Sequence, residues 1–166
     1  MANYKQKLAI QYAAEGRIEE LKSYHMYNDG ANLLYYAVKN KKLECAKYIL
    51  SIYPNSKISC HKLASLLIKC DDEMIIWAIE SNISNTHNNE LLYKFTFESI
   101  NRNFILTPQK SLRNIRLARN LGFDTDKPIN AHWPSNSTGR ISSGITNVLR
   151  DYKVIKRLNK LSKING

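Results

Sequence analysis

Apolar and polar positions alternate along this chain at helical spacing, and the pattern is clearest between Asp29 and Leu50. Leu33, Leu34 and Ala37 place apolar groups on one face of a helix. Asn40-Lys41-Lys42 interrupts them, and Leu43, Ala46, Tyr48, Ile49 and Leu50 resume the pattern. The reading is a turn at Asp29-Gly30, where glycine tolerates positive φ, then a short helix, a tight break and a second short helix. Neither helix is long enough to be stable alone, so the pair must pack on neighbours.

The same pattern predicts three more pairs. Over residues 4–26, Leu8, Tyr12 and Ala13 mark one helix, Gly16 breaks it, and Ile18, Leu21 and Met26 mark the next. Tyr53-Pro54-Asn55-Ser56 makes a turn, because proline cannot continue a helix. Over residues 59–82, Ser59 is the expected N-cap and Leu63, Leu66 and Leu67 form a stripe. Asp71-Asp72 then opens a helix carrying Met74, Ile75, Trp77, Ala78 and Ile79, with Asn82 as a left-handed C-cap. After a polar turn from Ser84 to Asn89, Leu91, Leu92, Phe95 and Ile100 mark a helix. Thr107 caps and Pro108 starts its partner, which holds Leu112, Ile115, Ala118 and Leu121 and stops at Gly122. Residues 88–124 read either as a fourth pair or as a capping hairpin.

The stretch D-G-A-N-L-L-Y-Y-A-V-K-N-K-K-L-E-C-A-K-Y-I-L resembles one ankyrin repeat. Leu34 falls at the leucine of the family's T-P-L-H motif, Ala37-Val38 at its small pair, and Lys47 to Leu50 at its K-x-L-L run. Asn32-Leu33 replaces Thr-Pro, Tyr35 replaces His, and Lys41 stands where glycine is usual. The resemblance implies an ankyrin-like stack of about four helix pairs over residues 1–124, and non-enzymatic protein binding. By that analogy Tyr27, Asn28, Tyr36 and Lys39 are candidate contacts on the array face, although tyrosine rings at such positions also fill the core between repeats.

Beyond residue 122 the character changes. Asp, Thr, Asn, Pro, Ser and Gly dominate residues 123–142, which read as a long loop with His132-Trp133-Pro134 as an aromatic anchor. Residues 143–163 read as a final amphipathic helix. The expected fold class is therefore all-α: an ankyrin-like array at 1–124, then a loop and basic C-terminal helix at 125–166.

Charge changes the functional picture. The net charge is +11, and it is unevenly placed. Residues 1–101 hold twelve cations against eleven carboxylates, and residues 102–166 hold thirteen against three. At about 100° per residue, Arg150, Lys153, Arg157 and Lys160 share one face of the final helix, away from Ile145, Val148, Leu149, Tyr152 and Ile155. Arg113, Arg116 and Arg119 are spaced by three in the preceding helix, and Arg140 lies between. Arginine suits two-point contact with carboxylate or phosphate, so these residues form the candidate partner-binding surface; the bland reading is a solvated face that keeps the chain soluble.

An acidic protein is the expected partner. Nucleic acid is the alternative, held through phosphate contacts, because no aromatics interleave with the arginines and no helix-turn-helix or zinc-finger spacing is present. Cys60, His61, Cys70 and His87 lack metal-ligand spacing, and no nucleophile constellation or glycine-rich phosphate loop stands out, so no metal, cofactor or catalytic site is expected. Three cysteines at irregular spacing do not make a disulfide framework. With no apolar run near the roughly 18 residues of a membrane span, and no signal-peptide core, a cytoplasmic location is expected. Richness in Lys, Asn, Ile and Tyr fits an AT-rich genome. Together these readings suggest a phage or pathogen protein that inhibits or redirects a host macromolecule.

Overall fold

A computed structural model of the protein describes residues 2–24, 29–101 and 108–123. These are all-α. Eight helices occur among them: α1 (Ala2–Glu15), α2 (Ile18–Lys22), α3 (Gly30–Lys39), α4 (Leu43–Ile52), α5 (Cys60–Leu67), α6 (Asp72–Glu80), α7 (Asn88–Asn101) and α8 (Pro108–Asn120). The odd-numbered helices pack in chain order, α1 on α3, α3 on α5 and α5 on α7. Within pairs, α1 packs on α2, α3 on α4 and α7 on α8, and α6 also meets α7.

One burial register repeats along this row. Leu33-Leu34, Leu63-Ala64 and Leu91-Leu92 are buried, the two residues after each are half-buried, and Ala37-Val38, Leu67-Ile68 and Phe95-Thr96 are buried again. Two buried doublets separated by two residues cover rather more than a third of a helix circumference, enough to touch a neighbour on each side and the second helix of the pair. The core is correspondingly apolar, from Ala9 and Ala13 through Leu34, Ile49, Leu63, Ile75 and Ile83 to Phe95 and Ala118.

Four helices end in the same way. Gly16, Lys41, Asn82 and Gly122 each take positive φ (79°, 59°, 48° and 97°). Their N–H groups donate to Ala13, Val38, Ile79 and Arg119 carbonyls, and the next N–H in each case reaches one residue further back, to Tyr12, Ala37, Ala78 and Ala118. This double closure satisfies carbonyls that the end of a helix would leave without partners. The breaks expected at Gly16, Asn40–Lys42, Asn82 and Gly122 are all present.

Two local expectations are corrected. Gly30 is not a turn residue of positive φ; it is the first residue of α3, with Asp29 as N-cap accepting from the Asn32 N–H at 3.4 Å. Glycine is required there by space: a Cβ would lie 2.2 Å from Ser56 Oγ and 2.5 Å from Tyr53 Cβ. Ser59 stands at the N-cap of α5 but makes no capping bond. The Cys60 N–H instead donates to Asn85 Oδ1 at 2.8 Å, because the loop after α6 lies beside the loop after α4. Ile58 and Ser84 join these loops in a single parallel bridge, with Ile58 N–H to Ile83 O at 2.8 Å and Asn85 N–H to Ile58 O at 3.0 Å. Ser84 is therefore buried rather than part of an open polar turn, and α7 already begins at Asn88. By contrast Asp71-Asp72 opens α6 as expected, and Asp71 is its N-cap, accepting from the Met74 N–H at 3.0 Å. Pro108 is the first residue of α8, while Thr107 and Met26 lie outside the described residues.

Two substitutions test these constraints. Gly30→Ala should destabilise the protein by about 1–3 kcal/mol through overpacking against Tyr53, although helix propensity alone favours alanine. Lys41→Gly should stabilise it by about 0.5–1 kcal/mol, because glycine takes the left-handed conformation without a Cβ penalty. Urea denaturation of both variants beside the parent measures each effect.

Candidate functional site

The described part of the basic surface is α8. Its sequence, PQKSLRNIRLARN, contains four cations and no carboxylate. Ser111, Asn114, Ile115 and Ala118 are buried, Leu117 is half-buried, and Gln109, Arg116, Arg119 and Asn120 are exposed. The three-residue spacing of Arg113, Arg116 and Arg119 turns each by about 60° from the last, so all three fit an arc of about 120° on the outer side.

Polar contacts bind this helix to the turn between α5 and α6. The Asn114 side-chain amide donates to Ile68 O at 3.4 Å and to Ser99 Oγ of α7 at 3.2 Å. Lys110 Nζ donates to Lys69 O at 3.4 Å. The Arg113 guanidinium pairs with the Asp72 carboxylate, and both side chains keep solvent access at 38% and 51%. Both helices of this last pair carry buried polar residues: Thr96, Glu98 and Ser99 on α7, and Ser111 and Asn114 on α8.

Of the three arginines expected to act together on α8, one is therefore engaged within the chain. Arg116 and Arg119 form no ion pair among the described residues. Asp72 was legible in the sequence only as a helix-opening residue; nothing local ties it to Arg113, since the contact depends on how the last helix pair docks. Arg140, Arg150, Lys153, Arg157 and Lys160 lie outside the described residues, as do Tyr27 and Asn28.

Tyr36 and Lys39, the other expected contacts, sit on α3. The rings of Tyr35 and Tyr36 meet edge to face at 5.3 Å between centroids, and Lys39 Nζ stands 5.5 Å from the Tyr36 centroid and 6.0 Å from that of Tyr35. Tyr35 packs against the core and Lys39 is exposed. Tyr12, Tyr24, Tyr48 and Tyr53 also pack against the core.

Among the described residues, no group of three His, Cys, Asp or Glu side chains is placed to hold a metal ion. Cys45, Cys60 and Cys70 are free and buried. Burial pushes the thiols of Cys45 and Cys70 up to about 11, against the smaller lowering effect of nearby lysines. They behave as small apolar groups and not as nucleophiles. No helix among the described residues is long and apolar enough to cross a membrane.

Comparison of the chain with family models, with curated proteins and with solved structures gives no match. The functional reading therefore rests on the residues themselves.

The thiols give a direct check on this packing. At pH 8 the folded protein should react only slowly with a thiol reagent at Cys45 and Cys70, since a raised pKa leaves little thiolate. Both should react at once in denaturant. Fast labelling of either in the native state, mapped by mass spectrometry, would contradict the buried positions.

Proposed function

We propose that this chain is a non-enzymatic binding module whose basic surface engages an acidic protein. The observation that carries this reading is the pair Arg116 and Arg119, exposed on a helix without a single carboxylate. Most surface helices mix charges of both signs, which limits long-range fields; a helix of one sign concentrates the field and steers oppositely charged partners. The rest of the basic third, with Arg140, Arg150, Lys153, Arg157 and Lys160, adds charge of the same sign along the sequence.

The scaffold is an ankyrin-like array in this reading. Support comes from the side-by-side row of odd-numbered helices and from the left-handed turn at Lys41, the position where the ankyrin pattern has glycine. Such a row gives a rigid platform on which α8 is held by backbone carbonyls of its neighbour. Binding then needs little reorganisation, which favours affinity at a given contact area. A phage or pathogen protein directed at a host macromolecule fits the composition and this mode of action.

Charge reversal tests the proposal. Arg116→Glu with Arg119→Glu should weaken binding to an acidic polypeptide such as poly-L-glutamate by about tenfold or more, with the helical circular dichroism signal unchanged. Unchanged binding would reduce the surface to a solubilising face. A mobility shift with duplex DNA at moderate salt, without affinity for acidic polypeptide, would replace the protein partner by a phosphate backbone.

A further inference from the structure

The Asp72–Arg113 contact joins the first turn of α6 to the outer face of α8. It differs from the other ion pairs among the described residues in what it occupies. Lys22–Glu19, Lys47–Glu44 and Lys94–Glu90 each link neighbouring turns of one helix, Arg17 pairs with Glu15 and Glu20, and His61–Glu98 spans α5 and α7; none of them engages an arginine of α8. Asp72 occupies the first member of that row. A carboxylate is also the chemical group that the proposed partner would bring to Arg113, so the chain places a mimic of its ligand on its own binding face.

We propose that Asp72 is an intramolecular competitor for the acidic partner, and that a partner carboxylate displaces it from Arg113 to complete the row Arg113, Arg116 and Arg119. The inference rests on the acidic-partner reading above.

Three features make the exchange feasible. First, both side chains are solvent-accessible, and an exposed ion pair of this kind is weak, so it yields to a ligand that also engages neighbouring charges. Second, Asp72 is not stranded when Arg113 leaves. It lies in the first turn of α6, where the helix dipole favours negative charge, and water can solvate it. Third, α8 does not need Arg113 to stay docked. Asn114 still bonds Ile68 O and Ser99 Oγ, and Lys110 still reaches Lys69 O. The guanidinium can therefore turn outward while the helix remains in place.

The consequence is a threshold. An isolated carboxylate gains nothing over Asp72, whereas a segment with several carboxylates binds Arg116 and Arg119 first and then takes Arg113 at high effective concentration. The device selects runs of acidic residues over single ones.

The experiment is titration of labelled poly-L-glutamate with the full chain, measured by fluorescence anisotropy at low salt. Asp72→Asn should tighten binding about two- to fivefold, the range that corresponds to release of one exposed ion pair. Glu73→Gln removes the same charge one residue away and should have a smaller effect. The gain from Asp72→Asn should vanish when Arg113 is already Gln. Asp71 still caps α6 in each variant, and circular dichroism confirms the fold; Asp72→Ser serves if the amide variant loses helix.

An unchanged or weaker affinity for Asp72→Asn, while Arg116→Glu with Arg119→Glu abolishes binding, would overturn the competitor role and leave the acidic-partner reading standing. A gain of the same size in the Arg113→Gln background would mean a general charge effect and would also overturn it. Absence of binding by the parent and all variants would overturn both.

Discussion

A helix of eight to ten residues does not hold together alone in water, and α3, α4, α5 and α6 are all that short. Everything described above follows from that constraint. Each helix must bury apolar surface against neighbours on more than one side. The repeated register of two buried, two half-buried and two buried positions on α3, α5 and α7 is the sequence form of that need. Each break between helices must also be tight enough to bring the next helix back onto the same layer. The left-handed closures at Gly16, Lys41 and Asn82 do this while satisfying the last carbonyls, and Gly122 closes the end of α8 with the same bonds. Packing and turn geometry are thus mutually dependent: the turns are affordable because of the burial that they make possible.

Much of the helical layout was legible because these signals are local. Gly16, Asn82 and Gly122 end helices for reasons carried by their own residue types, and Asp71 caps α6 through a side chain three residues before Met74, where the stripe begins. Lys41 was legible as a break, but lysine as a residue type gives no sign of positive φ. What could not be read depends on contacts between segments distant in sequence. Gly30 looked like a flexible turn, but it is small because Tyr53 and Ser56 close over it. Ser59 looked like a cap, but the loop carrying Asn85 supplies the acceptor.

The candidate surface divides along the same line. Spacing by three placed Arg113, Arg116 and Arg119 on one side of α8, and Ile115 and Ala118 are buried opposite them as that spacing requires. Periodicity could not show that one of the three faces a carboxylate from another helix pair. A row of like charges in sequence is a statement about one helix; its available charge is a property of the docked pair. The same distinction applies to Tyr35 and Tyr36, adjacent in sequence and both half-buried, of which Tyr35 packs against the core while Lys39 stands over both rings.

The buried Asn114 of α8 bears on one last property, the angle at which that helix is presented. Apolar contacts are nearly isotropic, so a helix held by them alone can roll about its axis with modest loss. Hydrogen bonds are directional, and Asn114 must aim at both Ile68 O and Ser99 Oγ. A roll by one residue would break both bonds and turn a guanidinium inward, where desolvation would oppose it. Asn114, with Ser99 and Ile68 O as its partners, therefore acts less as adhesive than as a keyway: it indexes the last helix so that its arginines have a single bearing relative to the rest of the row.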